Sequence, residues 1–378
     1  MTWKIPLFKL NYDQEEEKAV KKVLSSEWLT MGEETISFEE YFSSFLGKNI
    51  YSVAVSSGTA SMHLALMSLN LKKKDEVIIP ALTFVSDANT VSICGGTPIL
   101  ADSKSSEDWN VSLNSIKEKF SKNTKAIIVV HFAGYPCSEI KEISQFCKKN
   151  NLTLIEDVAH APGASIFGKK CGTFGDYGSF SFFSNKNIAV GEGGMITTKN
   201  KRLYKKVKFI RSHGMSSLTL DRHKGRSFSY DVLHIGLNYR IDEIRSALGR
   251  VQLRKLNKAN IKRKLLTERY IKNLGNSEIL IPFTKQPKSS ISSYHIMPIL
   301  LSENSSRESV MKKLKKNGIQ SSIHYPPFWN FSAYKGKFSQ KDSPNTAKIC
   351  QNELTLPLYP SMKLDDVDYV SEVLINSI

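Results

Sequence analysis

A chain of 378 residues, 40% hydrophobic and 24% charged, has the composition of a globular protein with a large core and room for two or three domains. Its 53 Lys and Arg against 36 Asp and Glu leave a formal net charge of +17, a field that attracts nucleic acid, acidic lipid or phosphorylated metabolites. The basic residues are spread out, densest in KLNKANIKRKLLTERYIKNL (255–274), which argues against nucleic acid; five scattered cysteines without C-x-x-C argue against a disulfide framework or a zinc site.

The N-terminal MTWKIPLFKLNYDQEEE has no long apolar run and soon turns acidic, so no secretory signal is expected. No run of ~18 apolar residues follows, and no membrane partner is expected. With unpaired cysteines, these features point to a cytoplasmic protein. The eight histidines form no H-x-x-x-H pair, and no metal is expected.

From residue 50 to about 200, short apolar runs alternate with helix-length segments. The expected strands are YSVAV (51–55), EVIIP (76–80), TPILAD (97–102), KAIIVV (125–130), LTLIED (152–157), GSFSFF (178–183) and GMITT (194–198). This alternation reads as an α/β sheet wound with crossover helices. In the helix after the first strand, Ala60, Leu64, Met67 and Leu71 fall on one face. SHGMSSLTLDRHKGRSFSYD (212–231) has little apolar periodicity and reads as a long functional or disordered loop. A long helix follows from Ile241 to about Leu274, leading into a smaller α/β lobe. The expected division is 1–245 for a large domain and 246–378 for a small one, with the N-terminal segment available to pack on the small domain.

Open α/β sheets bind ligands at the carboxyl ends of their strands. After YSVAV come Ser56, Ser57, Gly58 and Thr59 and then a helix, an arrangement whose free N–H groups and positive dipole end hold an anion. A plain serine N-cap is the alternative. After LTLIE comes Asp157, followed shortly by His160; its carboxylate keeps a nearby nitrogen cationic, unless it is only an N-cap. After the aromatic SFSFF comes Lys186, a loop lysine, a phosphate clamp or a desolvated nucleophilic amine. Ser181, just before, adds a hydroxyl donor. An anion cradle, a carboxylate for a ring nitrogen and a desolvated lysine are together what pyridoxal 5′-phosphate requires.

Several segments carry a resemblance: SEWLTMG (26–32), VSSGTASMHLAL (55–66), TFVSDANTV (83–91), IEDVAHAPGASIFGKKCGTFGDYGSFSFFSNKNIAVGEGGMITT (155–198), GLNYRIDEIRSALGRVQL (236–253) and IHYPP (323–327). In this order, over nearly the whole chain, they resemble the DegT/DnrJ/EryC1/StrS family of pyridoxal-phosphate sugar aminotransferases. The resemblance implies a fold type I transferase: a large, mostly parallel mixed sheet with helices on both faces, plus a smaller C-terminal α/β domain. It implies that Lys186 carries the cofactor as a Schiff base and shuttles the proton, and that Asp157 pairs with the pyridine nitrogen. Ser57, Gly58, Thr59 and Ser181 would bind the phosphate, Phe84 would stack on the ring, and His160 would lie beside the phenolic oxygen. Asn238 would reach the cofactor phosphate of the neighbouring subunit in a homodimer.

Some family members replace the lysine by histidine and dehydrate the sugar; Lys186 stands here and favours transamination. The implied substrates are glutamate as amino donor and a nucleotide-linked keto sugar, for amino sugars of surface polysaccharides or glycosylated metabolites. Arg222, His223, Lys224 and Arg226 in the long loop are candidate diphosphate contacts, and His324 and Tyr325 in IHYPP are candidate substrate contacts. The competing readings are an aminotransferase for a cyclitol or a carbohydrate without a nucleotide, a keto-sugar dehydratase, and a non-catalytic regulatory or nucleic-acid-binding protein on the same fold.

Overall fold

The computed structural model describes residues 3–217, 225 and 229–378. The chain opens with two helices, α1 (Gln14–Ser25) and α2 (Glu33–Leu46). Asp13 and Glu16 close a capping box at the start of α1, satisfying donors the first turn cannot pair internally.

Seven strands form the main sheet: β1 (Tyr51–Val55), β2 (Glu76–Pro80), β3 (Thr97–Ala101), β4 (Thr124–Val130), β5 (Thr153–Asp157), and, after the two-residue strands β6 (Ser165–Ile166) and β7 (Lys169–Lys170), β8 (Tyr177–Ser181) and β9 (Gly194–Thr198). Their order is β1-β9-β8-β5-β4-β2-β3. Only β9 runs against its neighbours; the β8–β5–β4–β2–β3 run is parallel. Parallel strands need long crossovers, which here are α3 (Gly58–Met67), α4 (Ser86–Ile93), α5 (Leu113–Lys119) and α6 (Ile140–Lys149). α7 (Lys201–Ile210) follows β9.

Apolar side chains leave both faces of this sheet. Val53, Val55, Val77, Ile79, Ala126 and Ile128 join one core with α3, α4 and α7. Ala54, Ile78, Ile127, Val129, Leu154 and Met195, which point the other way, join cores on the opposite side, under α2 and α6. Continuous Val/Ile runs such as AIIVV are therefore what a sheet covered on both sides demands.

α8 (Glu243–Leu274) links the two parts of the molecule. Leu248, Leu253 and Leu256 pack into the core beneath α2, whereas Leu266, Tyr270 and Leu274 belong to a second core. That second core holds β10 (Met297–Leu300), α9 (Arg307–Lys316), β11 (Glu353–Leu356) and α11 (Leu364–Ile375), whereas α10 (Pro344–Asn352), which leads into β11, places Ile349 and Cys350 in a separate cluster with Trp109 and Phe132. Ile5 joins it and bridges to Ile319. Gly249 lies where α8 crosses Phe38: a β-carbon would stand 2.5 Å from the ring, so only glycine permits the approach. Glu243, in the first turn of α8, accepts the N–H groups of Gly32 (2.8 Å), Glu34 (2.8 Å) and Thr35 (2.9 Å) and the Thr35 hydroxyl (2.7 Å). This buried carboxylate caps α2, whose own N-cap, Gly32, has no side chain to do so.

Two local expectations shift. α3 ends at Met67, so Leu71 lies beyond it; Ala60, Ser61, Met62, Leu64, Ala65 and Leu66 are all buried, making the helix buried on several sides rather than striped. β8 stops at Ser181 because the chain turns, with Lys186 N–H donating to Phe183 O.

Candidate active site

The carboxyl ends of β1, β5 and β8 converge with the start of α4 and a loop from the second core around a cavity of about 490 Å³. Of the residues singled out in the sequence, Ser57, Gly58, Thr59, Phe84, Asp157, His160, Ser181, Lys186, His324 and Tyr325 all line it.

β1 delivers Ser57 as the N-cap of α3, its Oγ accepting from Ala60 N–H at 3.0 Å. Capping and anion binding are compatible here, because a helix start has four free N–H groups and the cap consumes one. A β-carbon on Gly58 would stand 2.7 Å from Ser181 Cβ, so the first turn of α3 is pressed against the end of β8. Backbone donors and the Ser181 hydroxyl are thereby brought together.

Asp157 ends β5 nearly buried, with one oxygen accepting from Ala159 N–H at 2.8 Å. Burial raises its pKa, opposed by that N–H, by Lys186 and by His131. Lys186 has its pKa pushed down to about 8 by burial, while Asp157 pulls it back up. A cation near Asp157 stabilises the carboxylate, and loss of solvation leaves a larger share of the lysine amine neutral, with its lone pair free, at working pH.

His160 sits three residues past Asp157. Its Nδ1 accepts from Ala133 N–H (3.2 Å), so the ring proton is on Nε2, which donates to Tyr325 Oη (2.9 Å). Burial, with Lys186 and His324 nearby, holds His160 well below the ordinary histidine pKa, and the ring is neutral. Tyr325, kept a phenol by burial, retains its own proton to donate onward. Phe84 is 53% exposed where the chain enters α4, its ring 5.5 Å from that of Tyr325. An aromatic face left open at a cavity mouth suits a planar ring.

Three groups went unread in the sequence. Asp87, one turn beyond Phe84, is fully buried; Thr83 Oγ1 donates to its Oδ2 at 2.6 Å, and its Oδ1 has no partner. Asn185 Oδ1 is also unpartnered, and both residues line the cavity. The third, a buried Glu353–Thr355 pair on β11, stands behind His324. Asp87 has a local signal, an acid one turn after a mouth aromatic, whereas Glu353 is adjacent only in space.

Asn238 is exposed, bridges to Ser212 and does not line this cavity. Arg222, His223, Lys224 and Arg226 lie outside the described residues. Among the described residues no helix is long and apolar enough to cross a membrane, and no cluster of three or more His, Cys, Asp or Glu is placed to hold a metal ion.

The donor set fits pyridoxal 5′-phosphate: a helix start with a hydroxyl for a phosphate, a buried carboxylate, an amine of lowered pKa, and unpartnered buried oxygens in the same wall. Fold and site together define a fold type I, pyridoxal-phosphate-dependent aminotransferase. Residues 11–375 match the DegT/DnrJ/EryC1/StrS aminotransferase family, and the chain belongs to that family. It is 32% identical to GDP-perosamine synthase of Escherichia coli O157:H7, over 97% of both chains. Helicobacter pylori PseC, an aminotransferase involved in pseudoaminic acid biosynthesis, superposes with a TM-score of 0.90 at 29% identity, covering 100% of this chain and 99% of that one. Spr1654 of Streptococcus pneumoniae in its PMP-form gives 0.90 at 27%, covering 100% and 98%. A PLP-form of Spr1654 also matches, at 0.89. The protein is thus a sugar aminotransferase whose cofactor is pyridoxal phosphate.

Proposed function

We propose that this chain transfers an amino group from glutamate to a nucleotide-linked keto sugar, with Lys186 as the residue that holds the cofactor covalently and moves the proton. When bound, the cofactor supplies an aldehyde carbon for the amine and a protonated pyridine ring that stabilises negative charge on the carbon being deprotonated. Asp157 would hold the proton at the ring nitrogen. The start of α3, with Ser57, Gly58 and Thr59, and the Ser181 hydroxyl would hold the phosphate. Phe84 would cover one face of the ring, and His160 with Tyr325 would supply a fixed O–H donor at its edge.

Lys186 is suited to proton transfer by its lowered pKa. At about 8, roughly a quarter of the amine is neutral at pH 7.5, against about one part in a thousand for an unperturbed lysine. Half-buried in the cavity wall, its Nζ makes no hydrogen bond among the described residues, so no partner must be broken before it acts.

The identity to a GDP-perosamine synthase supports a nucleotide-linked substrate, and a chain of formal charge +17 suits a diphosphate. Asn238, exposed and away from its own cavity, would complete the site of a second subunit. The observation that carries the reading is the meeting of Lys186, Asp157 and the first turn of α3 in one cavity. The experiment is a screen of UDP-, GDP- and dTDP-linked keto sugars with glutamate as donor. Bleaching of the visible cofactor band by glutamate and its return with one class of sugar supports the reading; no bleaching contradicts it.

A further inference from the structure

One wall of the cavity is supplied by the second core. His324 lines the cavity while nearly buried; its Nδ1 lies 2.9 Å from Thr355 Oγ1, and its backbone N–H donates to Glu353 Oε2 at 2.8 Å. Thr355 Oγ1 is 2.5 Å from Glu353 Oε1, and both residues are fully buried on β11. His324 Nε2 has no hydrogen-bond partner among the described residues.

A hydroxyl carries one proton and can donate in one direction only. When Glu353 is ionised, both its oxygens accept, so Thr355 donates to Glu353 and accepts from His324 Nδ1–H. Nε2 then presents a lone pair. When Glu353 is protonated, Oε2 still accepts from the His324 backbone, so the proton sits on Oε1 and is donated to Thr355. Thr355 then donates to Nδ1, and Nε2 carries the hydrogen. The polarity of the whole relay follows one proton.

We propose that Glu353 and Thr355 are positioning residues that set the hydrogen-bonding polarity of His324 Nε2, and thereby whether this wall offers the sugar an acceptor for a hydroxyl or a donor for an oxygen. The proposal rests on the reading of the cavity as the site of a sugar aminotransferase. Two features support it. Burial pushes Glu353 up to about 8, against Thr355, the His324 N–H and Arg307, so both states are within reach near neutrality. Burial, with Lys186 nearby, holds His324 down to about 3, which removes the doubly protonated ring from consideration. The other charged or titratable groups facing the relay are Arg307, which donates to Cys350 O and Glu353 O, Cys350 itself, Tyr325, Lys186, and His160 and His295 across the cavity. Lys186 titrates in the same range as Glu353, so pH alone does not separate them. Glu353→Gln does: its amide oxygen takes the His324 N–H, its NH2 donates to Thr355, and the polarity of the protonated form is held at every pH.

The test uses holoenzyme labelled with 15N-histidine, with the His324 signals identified by their loss in His324→Asn. In the natural protein the ring should carry its hydrogen on Nε2 at about pH 6 and on Nδ1 at about pH 10, on either side of the Glu353 ionisation. Glu353→Gln should keep it on Nε2 at both. With whichever nucleotide-linked keto sugar turns over, KM should match between the two proteins at about pH 6 and differ by about tenfold at about pH 10, the size of one hydrogen bond. The same tautomer response in both proteins, or a KM ratio that does not change with pH, overturns the proposal. If Glu353→Gln fails to fold, Thr355→Val serves instead: it cuts the relay, and a tautomer switch like that of the natural protein overturns the idea. If no sugar turns over, the functional reading fails, while the substrate-free spectra still decide the relay.

Discussion

Lys186 and Asp157 face one cavity with opposed effects on the lysine: burial pushes the amine down to about 8, and the carboxylate pulls it upward. In the cofactor-free protein only the neutral amine attacks an aldehyde. The rate of pyridoxal phosphate uptake should therefore rise about tenfold per pH unit below 8 and level off above it. Asp157→Asn removes the upward pull, so the plateau should begin at lower pH. Stopped-flow absorbance checks this; an upward displacement contradicts it. In the holoenzyme the same change should lower kcat on the order of a hundredfold or more, since it removes fixed charge beside the reacting ring.

Gly58 tests the cradle. Gly58→Ala would put a methyl group 2.7 Å from Ser181 Cβ and 3.2 Å from its backbone, which cannot swing aside. The first turn of α3 must shift, costing about 1–3 kcal/mol of stability. Cofactor affinity should fall at least tenfold, more than the melting shift implies. Fluorescence titration beside thermal unfolding measures both; unchanged affinity would mean that the phosphate binds elsewhere.

Glu243 makes a prediction about stability alone. Glu243→Ala leaves the N–H groups of Gly32, Glu34 and Thr35 without their acceptor at a buried helix start. The expected loss is about 2–4 kcal/mol in urea unfolding, with Glu243→Gln losing less because one amide oxygen still accepts.

In the proposed homodimer Asn238 would complete the partner's site, and the exposed apolar residues near it in sequence, Val232, Leu233 and Ile235, the last 92% exposed, would be covered. Lys186→Ala and Asn238→Ala should each be inactive or nearly so. Mixed after mild dissociation, half the dimers become hybrids with one intact site, and activity should recover to about one-quarter of the natural level. No recovery despite proven subunit exchange would place Asn238 outside the partner's site.

Much of this was legible in the sequence, because its strongest signals are local. Strand runs such as AIIVV must be covered on both faces, and Ser57, Asp157 and Lys186 sit beside strand ends where topology gathers ligand groups. The rest depends on distance in space. Nothing near Glu353 in sequence marks it as the residue behind His324, 29 positions away, and Glu243 reaches Gly32 across 211 positions. Asp87 lay within a segment already marked by its resemblance. Its significance comes from burial and an unpartnered oxygen, which periodicity does not encode. Helix α3 ends before Leu71 without an apolar stripe to mark the stop, because a helix enclosed on several sides has none.

The central claim is that Lys186 is the cofactor's point of attachment, and borohydride reduction of the holoenzyme followed by peptide mass spectrometry tests it most directly. The account predicts one pyridoxyl-modified peptide, carrying the added mass on Lys186, and none in Lys186→Ala. A modified peptide centred on any other lysine, or an unmodified Lys186 in protein that shows the visible cofactor band, would contradict it.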